Sequence, residues 1–229
     1  MIGDLDALTA HLFEMQDTSY RAFHASMNPA LDRERLIGVR VPMLRKLARQ
    51  LHGTALGADF LAALPHRYYD ENNLHALMLC DFTAYGMTLA ALEQFMPCVD
   101  NLVTCDLINP RAFQRRPADL PRQIRRWLQS DHPYTVRLAL NVLERLYLGT
   151  AFDPCYLDEA GAVRSEESAV RSMVAVYFNS ALVKQYDATL TYLKSGTLPV
   201  LTRDQALQKA LDNHHITPEQ KRTLRALQR

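Results

Sequence analysis

Few side-chain groupings in this 229-residue chain have the types and spacing that chemistry needs. Asp70-Glu71, directly after Tyr68-Tyr69, is an adjacent pair of carboxylates such as acid–base work uses. Acids also collect at helix starts, where they meet the positive end of the dipole, and that use is the stronger reading of this pair. His214-His215 makes a poor ligand pair on a helix, because neighbouring side chains diverge by about 100 degrees. The four cysteines, Cys80, Cys98, Cys105 and Cys155, have neither Cys-x-x-Cys spacing nor the density of a secreted scaffold, so reduced thiols and no zinc ribbon are expected. No glycine-rich phosphate loop, nucleophile elbow or kinase signature is present. No metal and no cofactor is therefore expected.

Positive charge is the other chemical resource, and its distribution says more than its sum. The net charge is +1, from 26 basic and 25 acidic residues. Between Arg33 and Arg49 six basic residues face one acid, and between Arg111 and Arg126 six arginines face Asp119 alone. From Lys209 to Arg229 five basic residues face two acids, whereas Ala151 to Ala169 holds five acids and only Arg164. Of the 26 basic residues 21 are arginine, whose planar fork suits phosphate oxygens, although coding bias or a solvated helix face yields the same pattern.

Helices must position these groups. Thr135 to Leu148 places Val136, Leu140, Leu143 and Tyr147 at steps of three and four, the stripe of an amphipathic helix. Leu5–Phe13, Val41–Leu51, Asn72–Phe82, Leu89–Met96, Leu120–Leu128, Ala169–Leu182, Arg203–Leu211 and Pro218–Leu227 read the same way, and few stretches alternate with period two. Thr217-Pro218 with Gln220, and His132-Pro133, are helix-start signals. The pattern predicts an all-α chain of ten to fourteen short helices, read as one domain over residues 1–229. Val136-Arg137 recurs as Val170-Arg171, 34 residues on and at the same helix position, which points to stacked helix pairs. A mean hydropathy of −0.19 and the lack of a long apolar run argue against a membrane span, and acids at the N-terminus argue against a signal peptide; a bacterial cytosolic or nucleoid location is expected.

Three segments together resemble the DNA alkylation repair family of AlkD-like HEAT-repeat glycosylases. They are Ile37-Gly38-Val39-Arg40-Val41-Pro42-Met43-Leu44-Arg45-Lys46-Leu47-Ala48, Val99-Asp100-Asn101-Leu102-Val103-Thr104-Cys105-Asp106 and His132-Pro133-Tyr134-Thr135-Val136-Arg137. The tail from Ala206 to Arg225 is similar as well, so the likeness spans most of the chain. The resemblance implies a curved superhelix of HEAT-like antiparallel helix pairs whose basic concave face holds duplex DNA. It implies a monofunctional N-glycosylase that releases N3-methyladenine and N7-methylguanine without flipping the base. A cationic purine already leaves readily, so such an enzyme needs chiefly a carboxylate beside the oxocarbenium-like sugar and a positioned water.

By the same resemblance Asp106 stands at the catalytic aspartate position and Arg137 at that of an arginine holding the DNA backbone near the lesion. Arg40, Arg45, Lys46, Arg115, Arg116 and Arg171 are the further expected phosphate contacts, made by a monomer on double-stranded DNA. The family's glycosylases carry two tryptophans around the lesion; here those positions read Leu102 and Val176, and neither offers an aromatic face. Tyr177 replaces the second only if the register is off by one, and the sole tryptophan, Trp127, reads as core. Two other readings stay open: a catalytically silent DNA- or protein-binding module in which Asp106 caps a helix, and a protein-interaction scaffold.

Overall fold

A computed structural model describes residues 2–27 and 31–228. Among them are fifteen α-helices, short 3-10 turns and one isolated bridge between Gln16 and Val39. The chain divides into two compact units, Met1–Arg116 and Pro117–Arg229. The first carries α1 (Leu5–Glu14), α2 (Thr18–Met27), α3 (Val41–Leu51), α4 (Ala55–Ala62), α5 (Tyr69–Leu79), α6 (Tyr85–Phe95), α7 (Leu102–Leu107) and α8 (Arg111–Arg115). The second carries α9 (Pro121–Leu128), α10 (Pro133–Leu146), α11 (Cys155–Gly161), α12 (Ser168–Lys184), α13 (Tyr186–Lys194), α14 (Val200–Asp212) and α15 (Pro218–Leu227).

In the first unit α5 is the axis, packed between α3 and α7 and touched by α6. The sequence of α3 explains its orientation: Leu44, Leu47, Ala48 and Leu51 form the buried stripe, and Arg45, Lys46 and Arg49 fill the exposed side. That stripe joins Leu8, Leu12, Phe60, Leu74, Leu77 and Met78 in one core, each large side chain contributing about 1.5–3 kcal/mol by leaving water. In α5 every residue is buried, including Asp70, Glu71, Asn72, Asn73 and His75. It therefore has no apolar stripe, and the polar side chains must find partners inside the protein.

They find them locally. The Asp70 carboxylate accepts the backbone N–H groups of Ile37 at 2.8 Å, Gly38 at 3.1 Å and Val39 at 2.7 Å. Gly38 has φ +94, and a Cβ there would sit 2.5 Å from Cβ of Arg21, so the turn that aims three donors at one carboxylate requires glycine. Glu71 closes the start of α5 by accepting from Tyr68 N at 2.9 Å and takes a second bond from the Thr9 hydroxyl, also at 2.9 Å. The helix-start reading of Asp70-Glu71 thus holds, with Asp70 additionally moored to a loop more than thirty residues away in sequence. His66 and His75 pair at 2.9 Å between the stacked rings of Phe60 and Phe95, and burial lowers their pKa values to about 4 and about 3.

The second unit is simpler. α10 packs on α9 and α12, and α12 packs on α14, with α11 and α13 against α12 and α15 against α14. Val136 and Val170 are buried at equivalent places in α10 and α12, as the 34-residue offset predicts. A third copy follows in α14, where buried Thr202 precedes half-buried Arg203; threonine in place of valine and a 32-residue step hide it from sequence comparison. Trp127 is core. Thr217 and Gln220 form the expected capping box, the threonine hydroxyl accepting from Gln220 N at 3.2 Å. At α10 Pro133 occupies the first turn as expected, but no side-chain cap bond forms there.

Candidate nucleic-acid interface and carboxylate

α7 has six residues, and the buried Thr104 and Cys105 turn one side of it inward. Leu102 and Asp106, four residues apart, share another side, where Leu102 is exposed and Asp106 half-buried. The cap of α7 is Asn101, whose Oδ1 accepts from Thr104 N at 2.8 Å. Asp106 lies in the last turn, where the carbonyl end of the dipole disfavours an acid. It caps neither α7 nor α8, which begins after Pro110.

The basic residues fall into two kinds. Arg45, Lys46 and Arg115 are exposed and form no ion pair among the described residues; Arg116 is exposed as well. Arg49, one turn after Arg45 and Lys46 and the last residue of the Arg33–Arg49 basic run, extends their charged side of α3. Arg40, Arg171 and Arg137 are engaged by the protein itself. Arg40 Nε donates to Asp17 at 2.7 Å with its guanidinium 5.2 Å from the Tyr20 ring centre. The Asp17 carboxyl is held below the usual range, first by the Tyr20 backbone N–H and then by Arg40. Arg171 donates to the backbone carbonyls of Ser165 and Glu166 and lies 3.6 Å from the Glu166 carboxylate.

Arg137, 7% exposed, donates through Nη1 to the Ala169 carbonyl at 2.6 Å and to the Ser172 hydroxyl at 3.3 Å. It therefore ties α10 to the first turn of α12. His132, at the head of α10, has its pKa lowered by burial, so its imidazole adds no charge there at neutral pH. Val176 is half-buried on α12, whereas Tyr177 is fully buried beside Phe178. Tyr177 consequently offers no exposed ring. Leu102 and Asp106 belong to the first unit; Arg137, Arg171 and Val176 belong to the second.

The sequence profile of the family described as DNA alkylation repair enzyme matches residues 5–157, well over half of the chain. The chain belongs to this family. No curated protein and no solved structure matches it. The match takes in Asp106 and Arg137 but stops before Arg171 and Val176. No three of the described His, Cys, Asp and Glu side chains gather as a metal site. No described helix is long and apolar enough to cross a membrane.

Proposed function

We propose that the protein is a monofunctional DNA N-glycosylase that hydrolyses the bond between deoxyribose and a cationic alkylpurine, N3-methyladenine or N7-methylguanine, in duplex DNA without base flipping. The observation that carries this reading is the place of Asp106: within the span matched by the family, partly accessible, and on the side of α7 that carries the exposed Leu102. The step it supports is simple. The C–N bond breaks with its electron pair going to the purine, which leaves neutral; the carboxylate stabilises the positive sugar; water adds to it and loses a proton. The exposed Arg45, Lys46, Arg115 and Arg116 of the first unit supply phosphate contacts, while Arg40, Arg137 and Arg171 are bonded to the protein itself. Each protein monomer binds one duplex, in the cytosol or nucleoid where that DNA lies.

Base release from duplexes carrying N7-methylguanine or N3-methyladenine, measured against spontaneous depurination, tests this directly. A rate above background that falls in Asp106→Asn supports it; no release by the wild type overturns it. The aliphatic Leu102 and Val176 favour a second reading, a DNA-binding module without catalysis. That reading requires salt-dependent duplex binding together with no base release. Binding indifferent to salt would remove the phosphate-contact picture from both.

A further inference from the structure

α7 cannot hold Asp106 by its own stability, since an isolated helix needs roughly 12–15 residues to be even marginal in water. Its position is decided from outside, and both of its ends are tied to α5. At the first turn the Thr104 hydroxyl donates to Asn73 Oδ1 at 2.7 Å and accepts from Asn101 Nδ2 at 2.9 Å. Thr104 and Asn73 are buried, so this bond runs without competing water.

At the last turn the Cys80 thiol, at the end of α5, has its one proton within reach of the Leu107 carbonyl at 3.1 Å and of the Ala76 carbonyl of its own helix at 3.3 Å, and its sulfur accepts from Asn109 N at 3.3 Å. The Cys80 carbonyl takes Arg111 N at 3.0 Å, and the Phe82 carbonyl takes Ala112 N at 3.0 Å. A carbonyl that the end of a helix leaves without an intrahelical partner, Leu107 O, is thereby satisfied one residue past Asp106.

We infer that Asn73, Thr104 and Cys80 are positioning residues: α5 is a buried rail that grips α7 at both ends and so aims the Asp106 carboxylate. The catalytic consequence rests on the glycosylase reading of Asp106. A displacement of about 1 Å in a reacting group is enough to cost about a hundredfold in rate, so the grip matters even where the helix persists.

The test compares Thr104→Val, Cys80→Ala and Cys80→Ser with the wild type, alone and combined with Asp106→Asn. Two readouts are used: single-turnover release of N7-methylguanine at saturating protein, with the Kd for undamaged duplex measured alongside, and the line shape of the Asp106 side-chain carboxyl ¹³C resonance. Thr104→Val and Cys80→Ala are expected to lower the rate about tenfold or more with Kd changed less than about twofold. Cys80→Ser, which keeps a donor and an acceptor, is expected to stay near the wild type. In the Asp106→Asn background neither substitution should lower the rate further.

The carboxyl resonance should broaden or split in the valine and alanine variants and stay single in the serine variant. Unchanged rates and an unchanged resonance overturn the inference, as do losses that persist in full without Asp106. If the wild type releases no base, the glycosylase reading falls, and the resonance by itself decides whether the rail positions Asp106. Should Thr104→Val fail to fold, the cysteine pair carries the comparison.

Discussion

The two units are built from stacked helices on different principles. In the second, α10 and α12 repeat a Val-Arg pair, bury the valine and use Arg137 to tie one helix to the next. In the first, the central helix α5 is buried on all sides and spends its polar residues on loops and neighbours: Asp70 on the 37–39 turn, Asn73 on Thr104, His75 on His66. The second unit repeats an apolar stripe from helix to helix, with bonds such as Arg137 to the Ala169 carbonyl and Gln185 to the Leu148 carbonyl joining one repeat to the next. The first depends on directional bonds, each of which fixes a particular backbone segment. The candidate carboxylate lies in the unit with the directional network, which suits a group whose placement must be narrow.

The sharpest way to break this contrast is Asp70→Ala, which leaves three buried N–H groups without an acceptor. Its expected cost is about 3–5 kcal/mol in a urea melt, as much as a large core deletion such as Leu140→Ala at about 2–5 kcal/mol. Asp70→Asn, which keeps one acceptor oxygen, should lie between alanine and the wild type. A loss under about 1 kcal/mol for Asp70→Ala would mean that the network is ornament on an apolar core.

Acid should separate the units next. His66 and His75 are neutral in the fold, with pKa values lowered to about 4 and about 3, against about 6.5 in the unfolded chain. The unfolded state therefore binds more protons below pH about 6.5, and stability falls as pH drops from about 6.5 to about 4 and on to about 3. Hydrogen exchange should show α5 amides losing protection through that window, and His75→Phe with His66→Leu should flatten the dependence. The same profile in the double variant would show that other groups set the acid sensitivity.

Asp106→Asn is expected to slow base release by about 2–4 kcal/mol of barrier, roughly thirtyfold to a thousandfold, with little change in melting temperature or duplex affinity. A thermal shift with unchanged release would assign Asp106 to structure. Leu102→Trp, beside Asp106 on α7, should raise the rate by a smaller factor, since it adds an aromatic face near the carboxylate and no new charge. The smallest effect is expected from Arg45→Ala or Lys46→Ala: each should reduce the slope of log affinity against log salt by about 0.9. Arg137→Ala should instead lower stability along with binding, because its guanidinium already bridges α10 and α12.

Much of the second unit was legible in the residues. Periodicity of three and four marks α10 and α12, the Val-Arg offset marks their equivalence, and Thr217-Pro218 with Gln220 marks the start of α15. In the first unit α3 was legible for the same reason. Asn72–Phe82 caught the apolar end of α5 and the Asp70-Glu71 pair marked its polar start, but neither showed that the helix is buried all round. α8, with five residues, carries too few turns for a stripe to stand out.

By itself the sequence determined an all-α chain, the helices with one buried side, the runs of positive charge and, through three segments, a family. Only the tertiary structure decided which charges are presented, giving Arg40 to Asp17 and Arg137 to Ala169 while leaving Arg45 and Lys46 exposed. It also decided why the Ile37-Gly38-Val39 turn exists, and what holds α7. The reason is physical: periodicity records which side of a helix avoids water, a property local to the helix. The partner of a buried hydrogen-bonding group lies tens of residues away, at a distance that no spacing rule along the chain encodes.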